Sequence, residues 1–280
     1  MTGPRLLNAD WNFWPGHLAP SAIWAVCAEL GFDGLELGVY DPDVELSPER
    51  VAEAAALARH HDLPVGAALF SMPSTRWPEG GLASAEHRRR AVNAAIETGH
   101  RAAGLGAAVL GVWPGADPPH APDASHDGWA RTADSLAAIA AAVAADGIVV
   151  AVEAKPGQAV ASTADAIRVC GEVGEGNLGV LLDTAHALAG GEDLDLLPGE
   201  AGAGLVHVHL GDSVGGDADA DLPPGAAHDF GSFLAALDRT GYAGALSFDL
   251  YGAVASGGYT GEAASRAGLK HLRRVRPARG

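Results

Sequence analysis

The sequence is poor in basic residues and in cysteine, and each shortage excludes a class of protein. Its 280 residues include 18 Lys and Arg against 35 Asp and Glu, which gives a formal net charge of −17. A protein that holds a phosphate backbone needs a basic face, so nucleic acid is not an expected partner. The two cysteines, Cys27 and Cys170, are too few for a disulfide framework and are expected to pack as small apolar residues.

The sequence also lacks an apolar run of about 20 residues, the length that crosses a membrane. No charged segment followed by an apolar signal core stands at the N-terminus. These features predict no membrane partner and, with the missing disulfide framework, a cytoplasmic location. No break in composition separates two regions, so residues 1–280 are expected to form a single domain.

What the sequence does contain is a series of short apolar runs that end in a polar residue. In the second half, Glu153, Asp183, His209 and Asp249 each follow such a run. They stand roughly 30 residues apart, the length of one strand and one return helix. Residues two positions back share the face of each polar residue, while the opposite face is rich in Val, Ile, Leu and Phe, as helix-covered faces are. Each polar side chain is therefore predicted to point inward at the carboxyl end of its strand.

Strand-like and helix-like segments alternate along the whole chain. Strands are predicted over 6–10, 34–38, 63–70 and 107–112, with helices that include 84–105 and a short one over 194–198. Eight strands alternating with helices predict an α/β fold, the closed (β/α)8 TIM barrel. The connections over 71–82 and 113–127 are longer than plain connectors, and loops of this length are often functional.

Three carboxylates and one imidazole would thus meet at one face of the barrel. Each residue alone is explained by a hydrogen bond to a loop, but buried like charges that converge need a cation. An O,O,O,N donor set suits a divalent metal ion, Mn²⁺ first, with Co²⁺, Mg²⁺ or Zn²⁺ as alternatives. Glu153, Asp183, His209 and Asp249 are the predicted metal ligands.

Several motifs resemble those of the xylose isomerase-like superfamily, and the resemblance covers most of the barrel. They are Gly31–Leu37, Glu153–Pro156 (Glu-Ala-Lys-Pro), Asp183–His186 (Asp-Thr-Ala-His), Val206–His209 and Ser247–Asp249. That group contains sugar and sugar-phosphate isomerases and epimerases, inosose dehydratases and enzymes of the endonuclease IV type. The resemblance implies the same four metal ligands and places His186 beside the metal ligands or the substrate.

The chain departs from both branches that it resembles. Asp249 stands where ketose 3-epimerases usually carry Glu, and Gly215 stands where they carry Arg. Lys155 matches the lysine that polarises the sugar carbonyl in xylose isomerases, yet Val39–Asp41 lacks their ring-opening histidine. The resemblance therefore implies a relative of the xylose isomerases and not a xylose isomerase itself.

Other polar and aromatic residues each have a functional and a structural interpretation. Asp219 and Asp221 resemble a second-metal loop, or form a solvated acidic loop. Lys155 beside a metal is expected to have a lowered pKa suited to proton donation, or to form a salt bridge at the rim. His207 is expected to be a hydrogen-bonded core histidine. Trp11, Trp14, Trp77 and Trp113 follow strand ends, where they would line the apolar faces of a sugar or pack against loops.

The predicted function is a metal-dependent isomerase or epimerase of a small sugar, ketose or related polyol carbonyl compound that proceeds through an enediolate. Glu153 and Asp249 would move the proton, with Lys155 and His186 as further catalytic residues. If Lys155 dominates, a metal-assisted hydride shift becomes the alternative.

Three other functions are alternatives to this one. A keto-polyol (inosose-type) dehydratase would use the same site, and a barrel that binds metal or ligand without turnover belongs to another class. The net charge argues against a nuclease. The expected partner is a small, unphosphorylated carbohydrate. The oligomeric state is open, with a homodimer and a tetramer among the candidates.

Overall fold

Eight parallel strands close into a barrel in chain order, with β8 paired to β1. The computed structural model of the protein describes residues 4–78, 80–115 and 124–276. The strands are β1 (Arg5–Ala9), β2 (Gly34–Val39), β3 (Val65–Ser71), β4 (Val109–Trp113), β5 (Val149–Glu153), β6 (Leu178–Asp183), β7 (Leu205–Leu210) and β8 (Ala245–Phe248). The predicted (β/α)8 TIM barrel is confirmed.

Helices flank the barrel between consecutive strands. They are α1 (Pro20–Leu30), α2 (Pro42–Glu45), α3 (Pro48–His61), α4 (Arg88–Gly104), α5 (Ala124–Val143), α6 (Thr163–Val173), α7 (Thr184–Ala189), α8 (Leu197–Ala201), α9 (Gly231–Thr240), α10 (Tyr251–Ala255) and α11 (Gly261–Val275), with 3₁₀ helices over Asp10–Gly16, Ala144–Asp146 and Gly202–Gly204. Within the described residues, no helix combines the length and apolarity needed to cross a lipid bilayer.

The helix ends follow ordinary capping chemistry. Ser47 precedes α3 and its hydroxyl accepts a hydrogen bond from the backbone N–H of Arg50, with Pro48 at the first helical position. Gly31 ends α1 in the left-handed conformation, at φ 83°, which a residue without a Cβ adopts at little cost. Both are local signals that stand in the sequence itself.

The strands bury both of their faces, as expected for a barrel covered by helices. Val150 and Val152 of β5 belong to the core between the barrel and the helices. Ala151, between them, packs inside the barrel in a small cluster with Ala9, Trp11, Leu69 and Leu181. The inward-facing parity predicted for Glu153 is therefore the parity that the strand has.

Short helices are the main difference from the predicted elements. The structure has α2, α7, α10 and the 3₁₀ helix over Asp10–Gly16 where no helix was predicted, and α4 begins at Arg88 instead of residue 84. In α7 the reason is a cap: the Asp183 carboxylate accepts a hydrogen bond from the backbone N–H of His186. Of the long connection over 113–127, residues 116–123 lie outside the described residues.

Candidate active site

The polar residues at the ends of β5 to β8 meet at the carboxyl face of the barrel. One ligand atom from each of Glu153, Asp183, His209 and Asp249 lies within 4.8 Å of the others. From His209 Nδ1, the distances are 3.4 Å to Glu153 Oε1, 3.7 Å to Asp183 Oδ2 and 3.9 Å to Asp249 Oδ2. The structure thus brings together all four residues that were predicted as metal ligands.

Two atoms of this cluster are suited to bind a cation. Asp183 Oδ2 and His209 Nδ1 are buried and have no hydrogen-bond partner within the described part of the chain. A buried carboxylate oxygen or ring nitrogen left without a partner costs free energy that a bound metal ion would offset. Three carboxylates and a neutral imidazole form a donor set that suits divalent ions, so the cluster is able to bind one.

Burial and the close approach of these side chains shift their pKa values. Burial raises the pKa of Asp249 to about 6, and the neighbouring Asp183 and Glu153 charges act in the same direction. Burial also opposes ionisation of Asp183, but His186 and His209 outweigh it and lower its pKa to about 2. His209 has a pKa well above its usual value because Glu36 and the carboxylates outweigh the effect of its burial. Metal binding would replace these protons.

Glu36 is a site residue that the sequence reasoning did not identify. It lies in the middle of β2, is fully buried, and its two oxygens contact His207 Nε2 at 2.9 Å and His209 Nε2 at 3.2 Å. Burial raises its pKa, but the two imidazoles prevail and hold that pKa below the usual range. Its contact with Nε2 turns His209 Nδ1 towards the carboxylates.

His207 is a core histidine, as predicted, with one ring nitrogen bonded and the other not. Nε2 contacts Glu36, whereas Nδ1 is buried without a hydrogen-bond partner among the described residues. Glu36 could have been identified from the sequence by its inward-facing position in an otherwise apolar strand.

His186 contacts two of the predicted metal ligands. Its Nδ1 lies 3.0 Å from the backbone oxygen of Ala154 and 3.5 Å from Glu153 Oε1. Its backbone N–H donates to Asp183 Oδ1 at 2.9 Å. Its side chain lines the cavity at this face, so the structure places it where a substrate contact was expected.

Lys155 forms a salt bridge at the rim, which is the structural alternative predicted for this residue. Its Nζ pairs with Asp219 and lies 4.8 Å from the centre of the Trp113 ring. Burial lowers its pKa, but Asp219, with Asp221 and Glu153, outweighs that effect and raises it. Because these partners are anions, they favour the cationic form of Lys155 at the rim, and the lowered pKa expected beside a bound metal ion stays a prediction.

Asp219 and Asp221 reach the rim of the same cavity without joining the four-residue cluster. Asp219 is engaged by Lys155, and Asp221 Oδ2 accepts a hydrogen bond from the backbone N–H of Gly252 at 3.0 Å. Burial, together with Asp249 and Asp183, holds the pKa of Asp221 well above its usual value. Neither belongs to the metal-ligand groups found among the described residues, and a second metal there stays a prediction.

A cavity of about 180 Å³ opens beside the cluster and is called the catalytic cavity below. Trp11, Trp14 and Trp113 line it together with Glu153 and Asp249. Trp11 Nε1 donates a hydrogen bond to Asp249 Oδ1 at 2.9 Å, and its ring meets the His209 ring edge to face at 5.8 Å. These three indoles are therefore placed as substrate-binding residues would be.

Trp77, the fourth predicted substrate-binding tryptophan, lies elsewhere. Its indole N–H donates to the backbone oxygen of Tyr40 at 3.0 Å, and its ring packs edge to face on Phe70 at 5.6 Å. It is buried and is not among the residues that line the catalytic cavity. Loop packing, the structural interpretation, describes Trp77 better because its polar atom is already satisfied.

A closed (β/α)8 barrel with carboxylates and an imidazole at its carboxyl face has the arrangement of an enzyme barrel, in which strand ends carry the site. The family model of the xylose isomerase-like TIM barrel matches residues 24–275, and the chain belongs to that family. The resemblance seen in the motifs is thereby confirmed. No curated protein sequence gives a significant match.

Solved structures of this fold include sugar epimerases and a nuclease-family member. A 3-keto-D-glucoside 4-epimerase from E. coli superposes with a TM-score of 0.77 at 18% identity, covering 98% of this chain and 99% of that chain. A D-allulose 3-epimerase from Methylomonas sp. gives 0.79 at 18% identity, covering 98% and 97%. An AP endonuclease family 2 protein from Brucella melitensis gives 0.76 at 20% identity, covering 99% and 100%. At these identities the likeness establishes the fold.

Proposed function

We propose that the protein is a divalent-metal-dependent isomerase or epimerase of a small sugar, ketose or related polyol carbonyl compound. The observation that carries this proposal is the convergence of Glu153, Asp183, His209 and Asp249, with two inward-facing atoms that have no partner among the described residues. The family and the names of two similar structures, a 3-keto-D-glucoside 4-epimerase and a D-allulose 3-epimerase, support the same class of reaction.

Each residue of the site would have its own role in the reaction. A bound divalent ion would draw electron density from adjacent carbonyl and hydroxyl oxygens and acidify the carbon between them. Glu153 and Asp249 line the catalytic cavity from β5 and from the end of β8, so each can take or return a proton there. Lys155, held as a cation, would stabilise negative charge on a substrate oxygen. Trp14 and Trp113 offer flat apolar surfaces to a sugar.

Hydrogen exchange tests this reaction most simply. The protein, stripped with a chelator and reloaded with Mn²⁺, is incubated in D₂O with D-fructose, D-allulose and L-ribulose, and the sugars are followed by NMR. Deuterium should appear at a carbon next to the carbonyl, and an isomer or epimer should accumulate. Asp183→Asn should abolish both, while Asp195→Asn, an exposed change outside the site, should alter neither. Mn²⁺ binding without exchange in any of a broad panel of ketoses and keto-sugars would favour the non-catalytic barrel.

One contact favours the dehydratase as a second candidate. Asp249 Oδ1 accepts a hydrogen bond from the Trp11 indole N–H and Oδ2 faces the metal-ligand cluster, so Asp249 is the more constrained of the two carboxylate bases. A dehydration needs only one carboxylate base: Glu153 takes the proton from the carbon next to the carbonyl, and the hydroxyl on the next carbon leaves as water with that proton. With an inosose as substrate, loss of 18 mass units (one water, H₂O) in the product would identify this reaction, and a product of unchanged mass would exclude it.

A further inference from the structure

A second cavity lies next to the catalytic cavity and is not used by the proposed reaction. This distal cavity has a volume of about 420 Å³, against about 180 Å³ for the catalytic cavity. Its lining includes Asp10, Glu45, Arg50 and Arg76. The two cavities share Trp14, Gly38 and Tyr40, so they meet at one common wall.

The common wall is an aromatic pair seated on a glycine. The Trp14 and Tyr40 rings meet edge to face, with centroids 5.4 Å apart. A Cβ added at Gly38 would lie 2.7 Å from Trp14 Cη2 and 2.9 Å from Trp11 Cε3. A side chain at this position would push the indoles out of place, so Gly38 sets the position of the wall. Trp14 and Tyr40 thus offer aromatic surface at the junction of the two cavities.

The distal cavity has a mixed polar and apolar lining and is nearly neutral. Two arginines, Arg50 and Arg76, face three acidic residues, Asp10, Glu45 and Glu53. Arg50 pairs with Glu53 at 2.9 Å, and Glu45 Oε2 accepts hydrogen bonds from the backbone N–H groups of Tyr40 and Asp41. No excess of positive charge is left for a phosphate or carboxylate ligand.

Two residues in this cavity keep bonding capacity for a neutral ligand. Arg76 lies over the Tyr40 ring at 5.7 Å and its exposed guanidinium offers donors in a planar fork. Asp10 Oδ1 accepts from the backbone N–H of Gly38 at 2.8 Å, and burial, followed by the Glu36 and Glu45 charges, raises its pKa to about 7. Aromatic surfaces with mixed donors and acceptors and little net charge are the chemistry that recognises a sugar ring.

We propose that the distal cavity is a second sugar subsite and that the substrate is a neutral two-unit compound, a ketose or keto-sugar that carries a glycosidic substituent. This inference rests on the proposed function, because the reacting unit is placed at the metal-ligand cluster. The catalytic cavity holds the reacting unit. The glycosidic substituent extends past the Trp14–Tyr40 wall into the distal cavity. Arg76 and Asp10 then provide hydrogen bonds to its hydroxyl groups.

The test compares one-ring and two-ring ketoses on the Mn²⁺-loaded protein. Isothermal titration calorimetry is run with D-fructose, with D-fructose 6-phosphate, and with the glucosyl-fructoses isomaltulose, maltulose and turanose. At least one disaccharide is expected to bind ~10-fold or more tightly than D-fructose, as one or two new hydrogen bonds to charged groups allow. The phosphate ester should gain nothing over D-fructose.

Variants locate the gain in the distal cavity. Arg76→Ala, an exposed change away from the metal-ligand cluster, should remove most of the disaccharide advantage while leaving D-fructose binding unchanged. Arg89→Ala, an exposed change outside both cavities, should leave the advantage intact. Equal affinities for D-fructose and all three disaccharides in the wild type, or equal weakening of both classes by Arg76→Ala, would overturn the subsite.

Deuterium exchange, measured in parallel, separates the two proposals. A disaccharide preference that Arg76→Ala removes, without exchange into any sugar, supports the subsite and counts against the proposed reaction. Exchange into D-fructose without a disaccharide preference supports the reaction and overturns the subsite.

Discussion

Glu36→Gln is the substitution that best tests whether Glu36 positions His209 among the predicted metal ligands. Glu36 is fully buried and its two oxygens contact Nε2 of His207 and of His209. The amide keeps the shape of the side chain but removes the charge that makes His209 more basic. Loss of such a partner of a metal-binding histidine typically lowers metal affinity about 10- to 100-fold. The same loss corresponds to about 1.4 to 2.7 kcal/mol of binding free energy.

The assay is a Mn²⁺ titration of chelator-stripped protein by calorimetry, together with thermal unfolding of the metal-free form. Breaking a buried charged pair costs about 3–5 kcal/mol, so the metal-free variant should also melt at a lower temperature. Glu49→Gln, an exposed change in α3, is the matched control and should alter neither value. If Glu36→Gln keeps Mn²⁺ affinity within twofold and an unchanged melting temperature, Glu36 does not orient His209.

Three further predictions concern Asp249 and the wall beside it. Trp11→Phe removes the hydrogen bond to Asp249 Oδ1 and should weaken Mn²⁺ binding about 10-fold with the fold retained. Gly38→Ala forces a Cβ against Trp14 and Trp11 and should cost about 1–3 kcal/mol in urea unfolding. Because the Asp249 pKa is raised to about 6, protons should compete with Mn²⁺ below that pH, so calorimetric affinity should rise as pH increases from 5 to 7.

Each of these predictions has a control or a contradicting result. Trp129→Phe also removes an indole hydrogen bond, to exposed Glu172, and should leave Mn²⁺ affinity unchanged. Gly171→Ala, in α6 with no atom within 4 Å of the added Cβ, should stabilise the protein slightly. A Gly38→Ala protein as stable as wild type would show that Trp14 and Trp11 move aside at little cost in free energy. Mn²⁺ affinity that is flat between pH 5 and 7 would show that Asp249 is not among the ligands.

The fold and the four-residue cluster could be predicted because their signals are local. Alternation within β5 shows which way Glu153 points, and the roughly 30-residue repeat places the next strand beside it. In a parallel barrel the carboxyl ends then share one face, so the meeting of these side chains follows from topology. The same reasoning missed α7, although its cap, the Asp183 carboxylate that accepts from the His186 N–H, lies only three residues away and is a local signal.

What the sequence could not give depends on contacts between distant residues. Glu36 and His209 are 173 residues apart, and no local pattern shows that they hydrogen-bond. Lys155 pairs with Asp219, 64 residues further along, and no local pattern in the sequence shows that this carboxylate raises the pKa of the lysine. Trp77 follows a strand end as Trp11 does, but its indole N–H meets the Tyr40 carbonyl and its ring turns away from the catalytic cavity.

The central claim is that the ends of β5 to β8 together hold one divalent ion. Its most direct test is Mn²⁺ stoichiometry, measured by calorimetry and by metal analysis after gel filtration, on the stripped wild type and on the Glu153→Gln, Asp183→Asn double variant. Circular dichroism confirms that both are folded. One Mn²⁺ per wild-type chain and none per variant chain is the predicted result. A variant that binds one Mn²⁺ as tightly as the wild type would contradict the claim.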